Sequence, residues 1–238
     1  MASATGMPAT VPSDERTPLI GRPGPVKQQD SQPLPLNFVS GWGFVAVLSA
    51  LGLTIFVITN ALKVEPFILF LYHPIFQSLC FFFATMSILV LQPTHTAEQK
   101  AKGQKAHAFL MMLSMLSLLT GVIIIEYNKI KSNGVHFHSP HGVLGIFASA
   151  WFIFQYIGGF TMLNVPKVYG GEAKAKAVWK YHRRGGYVLY FAMLAAVIGS
   201  GGTDFVKAKM FDVVPPLVFG IFVAIGVYSR VRKEKLGF

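Results

Sequence analysis

The chain has 238 residues, of which 53% are hydrophobic and only 13% charged, with a formal net charge of +11. Soluble globular domains run nearer a quarter charged, so most of this chain does not face water. The excess of cations would suggest nucleic acid in a soluble protein. Here it sits in short loops between apolar runs, which excludes a nucleic-acid reading and favours a membrane one.

Residues 1–37 are rich in Pro, Ser, Gln and Gly and lack the apolar core of a signal peptide. They read as a disordered cytosolic tail. Within that tail, Glu15-Arg16-Thr17-Pro18-Leu19-Ile20 fits the acidic dileucine pattern that cytosolic adaptors read. It favours a vacuolar, lysosomal or other endomembrane address, with the plasma membrane as the alternative.

Six apolar segments follow, at about 39–61, 68–91, 106–127, 141–163, 179–200 and 213–231. Each is close to the ~20 residues that a helix needs to cross ~30 Å of hydrocarbon. Lipid permits only helices or closed barrels, and unbroken apolar runs of this length are helices. The expected fold is therefore all-α: a six-span membrane domain over 38–231, followed by a short tail at 232–238. The single cysteine, Cys80, lies inside an apolar run, which rules out a disulfide framework and a CxxCH attachment site.

Lys and Arg set the orientation. The first tail, the second and fourth loops and the C-terminal segment carry sixteen, including Lys100, Lys102, Lys105, Lys180, Arg183, Arg184, Arg230 and Arg232. The other loops carry five: Lys63, Lys129, Lys131, Lys207 and Lys209. The bias puts both termini in the cytosol. An even number of spans requires the termini to share a side, in agreement.

Four of the seven histidines stand at or near the start of a span: His73, His107, His141 and His182. Consecutive spans run antiparallel, so residues that begin them alternate sides. His73 and His141 fall on the non-cytosolic side, His107 and His182 on the cytosolic side. Each pair comes from two helices running the same way. Facing imidazoles within a helical bundle are what a bis-histidine haem requires. Asp and Glu are nearly absent from the spans, which argues against a site for hard cations. Gly145 and Gly186 follow His141 and His182 by one turn on the same face, where a missing side chain lets a flat macrocycle approach.

With YHP at His73, HFHSPHG before and at His141, and KYHRRGGY around His182, residues 40–231 resemble the cytochrome b561 family in its short form without added domains. The resemblance implies a central four-helix bundle, spans two to five, holding two non-covalent b haems. It implies transmembrane electron transfer from cytosolic ascorbate to monodehydroascorbate or a ferric chelate, that is, an ascorbate-dependent oxidoreductase with ferric reductase activity, and a homodimer. It places the donor beside Lys105, with Lys100, Lys102, Lys180, Arg183 and Arg184 as neighbouring cations by position. A basic rim would concentrate an anionic donor. On the opposite side His136, and less directly His138, lie just before His141 as candidates for acceptor contact or proton relay.

Two other readings stand beside this one. A haem-b membrane subunit serving a separate dehydrogenase would keep the four histidines and lose the ascorbate site. A haem-free transporter or scaffold would need broken helices at mid-membrane, for which Gly158-Gly159 is the only hint. A flavin-linked ferric reductase places two histidines on one helix about four turns apart, and no such pair occurs.

Overall fold

The computed structural model describes residues 26–232 and residue 236. The sorting-like segment Glu15–Ile20 lies outside the described residues. Seven α-helices run through the described chain, with no strand among them: α1 Gly43–Leu62, α2 Tyr72–Leu91, α3 Ala97–Lys131, α4 Pro140–Asn164, α5 Glu172–Ser200, the short α6 Asp204–Lys209, and α7 Val214–Tyr228. Four of them, α1 to α4 (α2 counted with its leading turn from Leu69), are long and apolar enough to cross a membrane. With α5 and α7 they form a polytopic, all-helical membrane protein.

Two helices, α3 and α5, begin well before their hydropathic spans, and α7 is shorter than its span. α3 has 35 residues and α5 has 29. At 1.5 Å per residue α3 is about 52 Å long, well beyond the ~30 Å of hydrocarbon. Its apolar stretch, about 106–127, crosses, and its first turns stand clear of the membrane. A capping box starts it: the Thr96 hydroxyl accepts from the Gln99 N–H while the Gln99 side chain reaches back. α5 begins after Gly170 and Gly171, both at positive φ, a conformation a side chain would oppose. α7 is shorter than its span, 15 residues, opening on Pro215-Pro216.

α2 packs most extensively against α3, α4 against α5, and α1 against α7 and α2. The α1–α7 seam is tight. A methyl group on Gly226 would lie 2.6 Å from the backbone nitrogen of Ala46, so glycine is what lets these helices touch. One core of buried residues runs through the bundle, including Leu53, Phe81, Leu118, Phe152, Tyr190 and Val223. Leu48, Ile55, Ile123, Phe154 and Phe191 point outward, giving the lipid-facing surface expected of such a bundle.

The stretch from residue 26 to 37, grouped by composition with a disordered tail, is folded against the bundle. Asn37 is fully buried and its amide donates to the Gln28 side chain and to the Val90 carbonyl. The Gln28 N–H donates to the Pro93 carbonyl, 3.2 Å. Polar residues here seek partners in the loop after α2, which composition alone does not reveal. Arg230, counted above with the orientation signals, is likewise buried. Its guanidinium donates to the carbonyls of Asn37 (2.9 Å) and Leu89 (3.0 Å). It ties the segment before α1 to the ends of α2 and α7.

Candidate functional site

Polar side chains in an apolar bundle are retained where they have partners or work to do. His73 and His141 meet at one end of the bundle, their ring centroids 6.3 Å apart and their planes nearly perpendicular at 80°. Each anchors one ring nitrogen on a neighbouring helix. His73 Nδ1 donates to the Gly121 carbonyl of α3 at 2.9 Å, and His141 Nδ1 donates to the Ala196 carbonyl of α5 at 2.8 Å. That fixes the tautomer and leaves each Nε2 with its lone pair.

His107 and His182 meet at the opposite end and line one cavity of about 260 Å³, together with Tyr190, Gly186, Lys100 and Arg183. His107 Nδ1 lies 3.0 Å from the Ser87 carbonyl and 2.7 Å from the Ser87 hydroxyl. That hydroxyl in turn donates to the His107 carbonyl at 3.0 Å. His182 sits against α4 at Gly159, where a methyl group would approach its Cε1 to 2.9 Å.

A common spacing underlies these anchors. Ser87 follows His73 by fourteen residues, Gly121 follows His107 by fourteen, and Ala196 follows His182 by fourteen. Fourteen residues are close to four turns, so a histidine and the carbonyl that holds the opposite pair share one helix face. The two pairs are separated by roughly 21 Å along the helices.

The donor set fits haem iron. Two axial imidazoles on one metal, with bonds of about 2 Å and about 1 Å more to each ring centre, put the centroids roughly 6 Å apart. His73 and His141 match that span. Flat space is also present, since a Cβ added at Gly145 or at Gly186 would meet nothing within 4 Å.

The other expected site residues are placed as follows. Arg183 lines the cavity with His107 and His182. Lys102 pairs with Glu98 on the exposed face of α3, 2.7 Å. Lys105 is exposed and does not line the cavity. Residues two apart on a helix point about 200° apart, so Lys105 and His107 face opposite ways. Arg184 Nε donates to the Leu236 carbonyl at 2.5 Å. His136 pairs with Glu126 through Nδ1, 2.9 Å, beyond the His73–His141 end, and His138 Nδ1 donates to the Val135 carbonyl at 3.1 Å.

Sequence reasoning passed over the Ser87, Gly121 and Ala196 anchors, although the fourteen-residue spacing was there to be read. It gave Lys100 only by position. Lys100, Gln104 and His107 follow one another at helical spacing and all line the cavity. Lys100 stands on the part of α3 that precedes the hydrocarbon. Burial, and then the positive charges of Arg183 and Arg232, lower its ammonium to about 8.

An all-helical membrane bundle with a half-buried histidine pair toward each end is the arrangement of a transmembrane cytochrome. The chain belongs to the cytochrome b561 family: residues 72–206 match the model of eukaryotic cytochrome b561. It is similar to the transmembrane reductase CYB561D2 of Homo sapiens, 32% identical over 161 residues, which cover 66% of this chain and 70% of that one. The Bos taurus protein of that name is 34% identical over 152 residues, 62% of this chain and 67% of its own. Haem b follows from the family.

Proposed function

We propose that the chain passes electrons from cytosolic ascorbate, by way of two bis-histidine b haems, to a non-cytosolic acceptor, monodehydroascorbate or a ferric chelate. The observation that carries this reading is the facing of His73 and His141 at 6.3 Å with both Nδ1 atoms anchored. Haem b supplies a one-electron couple held in a dry helical interior. The residues of the chain do the rest. His107 and His182 hold the cytosolic site, His73 and His141 the opposite one. The backbone carbonyls fix the tautomers of His73, His107 and His141 and raise the basicity of these three imidazoles. Both termini belong on the cytosolic side by the distribution of Lys and Arg.

Donor binding is assigned to the cavity of His107 and His182. Ascorbate is a monoanion, and Lys100 and Arg183 line this cavity in low dielectric, where a positive charge is worth more than on an exposed face. Lys102 and Lys105 lie outside it and serve as the outer basic rim that steers the anion inward. At the opposite end His136, paired with Glu126, is the residue placed to contact the acceptor or hand it a proton. Family membership sets aside the haem-free transporter reading. A homodimer in an endomembrane completes the proposal.

The test is haem-reduction kinetics with ascorbate in the wild type and in His73→Ala, His107→Ala, His141→Ala and His182→Ala. The proposal expects His107→Ala and His182→Ala to abolish fast reduction by the donor. It expects His73→Ala and His141→Ala to retain that step and lose delivery to the acceptor. Loss of the same haem in His73→Ala and His107→Ala would overturn the pairing.

A further inference from the structure

The two histidine pairs are too far apart to touch, and the middle of the bundle between them is not uniform. Phe81 of α2 and Tyr190 of α5 lie against each other there, ring centroids 5.2 Å apart and planes within 12° of parallel. Both are buried to 1% exposure, and they rank among the largest fully buried side chains of the protein. At this separation the near-parallel rings form an offset stack, one of the arrangements that aromatic pairs prefer. Their position is also specific. Phe81 follows His73 by eight residues and precedes Ser87, the anchor of His107, by six. Tyr190 follows His182 by eight and precedes Ala196, the anchor of His141, by six. Each ring therefore lies about 12 Å along its helix from its own histidine and about 9 Å from the level of the opposite pair.

The pair is held firmly. The Tyr190 hydroxyl hydrogen-bonds the Thr85 hydroxyl at 2.6 Å, and Thr85 donates to the Phe81 carbonyl at 2.7 Å. One α2 residue thus ties both rings together. Tyr190 also lines the cavity of His107 and His182, so the stack reaches from that site into the bundle centre.

We infer that the stacked Phe81–Tyr190 pair is the positioning element that couples the two ends of the bundle electronically. This rests on the two-site reading proposed above. Electron tunnelling falls off steeply with distance, and more steeply across gaps than through matter in van der Waals contact. Parallel π systems in contact at the midpoint shorten the gaps to be crossed on either side. The step is a one-electron transfer. The donor loses one electron and, as ascorbate monoanion, one proton to become the monodehydroascorbate radical. The acceptor gains one electron. Neither ring is oxidised or reduced on balance, and Tyr190 keeps its proton in the bond with Thr85.

The experiment uses the full chain in nanodiscs with haem bound, and photochemical or stopped-flow reduction from one side. Four variants are compared: Phe81→Leu, Phe81→Met, Tyr190→Leu and Tyr190→Phe. Haem content, the two reduction potentials and thermal stability are measured alongside the rate of transfer between sites. The expected result is a several-fold slower transfer in Phe81→Leu, Phe81→Met and Tyr190→Leu with potentials unchanged, and a wild-type rate in Tyr190→Phe, which keeps the stack. Phe81→Met is close in volume to the native side chain, so it separates loss of the ring from loss of packing. Wild-type transfer rates in Phe81→Met and Tyr190→Leu, with both haems present, would overturn the inference. A wild-type protein holding a single haem would instead remove the two-site reading on which it rests.

Discussion

Ser87→Ala is a small change with a readable consequence. The Ser87 hydroxyl is 2.7 Å from His107 Nδ1 and gives its own proton to the His107 carbonyl, so it accepts from the imidazole. The Ser87 carbonyl, 3.0 Å away, shares the same N–H. The substitution removes the hydroxyl and leaves the carbonyl, so the tautomer is kept and only part of the bond is lost. A neutral hydrogen bond contributes about 1 kcal/mol, and losing one half of a shared bond costs about half of that or somewhat more. An acceptor at Nδ1 makes the imidazole a better electron donor to iron and favours the oxidised state. Its partial loss should raise the potential of the site held by His107. With 59 mV per tenfold for a one-electron couple, the shift is roughly 20–40 mV upward. Redox titration followed optically in the wild type and in Ser87→Ala measures it, with the site held by His73 and His141 as an internal reference. A downward shift, or a shift confined to the reference site, would refute the reasoning.

Other consequences follow from the same geometry. Gly121 both accepts from His73 and lies beneath Gln77, whose amide nitrogen would be 2.5 Å from an added methyl. Gly121→Ala should therefore destabilise the protein by about 1–3 kcal/mol and weaken haem retention at the His73–His141 end. Thermal unfolding and haem content report the two effects. Gly145→Leu and Gly186→Leu fill open space one turn from His141 and His182, and each should cost one haem, at opposite ends, in the visible spectrum. Lys100 has its ammonium lowered to about 8, so it is charged below that pH and neutral above it. The apparent affinity for ascorbate should weaken as pH rises through about 8, and Lys100→Gln should weaken binding below that pH and flatten the step. Initial rates of reduction over a pH series check this.

Much of this was legible in the residues themselves. The four histidines stand out because an imidazole within an apolar span has few reasons to be there, and antiparallel spans sort them into pairs without further information. The backbone anchors were not legible in the same way, since a carbonyl carries no mark in the sequence. Only the fourteen-residue spacing from His73 to Ser87, from His107 to Gly121 and from His182 to Ala196 betrays them. The donor side shifted from Lys105 toward Lys100 for a local reason. Hydropathy ends where charge begins and so starts the span at 106, whereas the Thr96–Gln99 capping box starts the helix at Ala97, nine residues earlier. Once 97–131 is one helix, Lys100, Gln104 and His107 share a face and Lys105 is turned away. The burial of Arg230 and of the residues near Asn37 was not legible, because packing of polar groups against backbone carbonyls depends on a fold that composition does not describe.

The central claim is that His73 with His141, and His107 with His182, each hold one haem. The direct measurement is haem stoichiometry and the reduced visible spectrum of the purified chain and its four single His→Ala variants. The account predicts two b haems per chain in the wild type and one in each variant. The spectra should fall into two identical couples, His73→Ala with His141→Ala and His107→Ala with His182→Ala. A single haem in the wild type, or couples that cross between the two ends of the bundle, would contradict it.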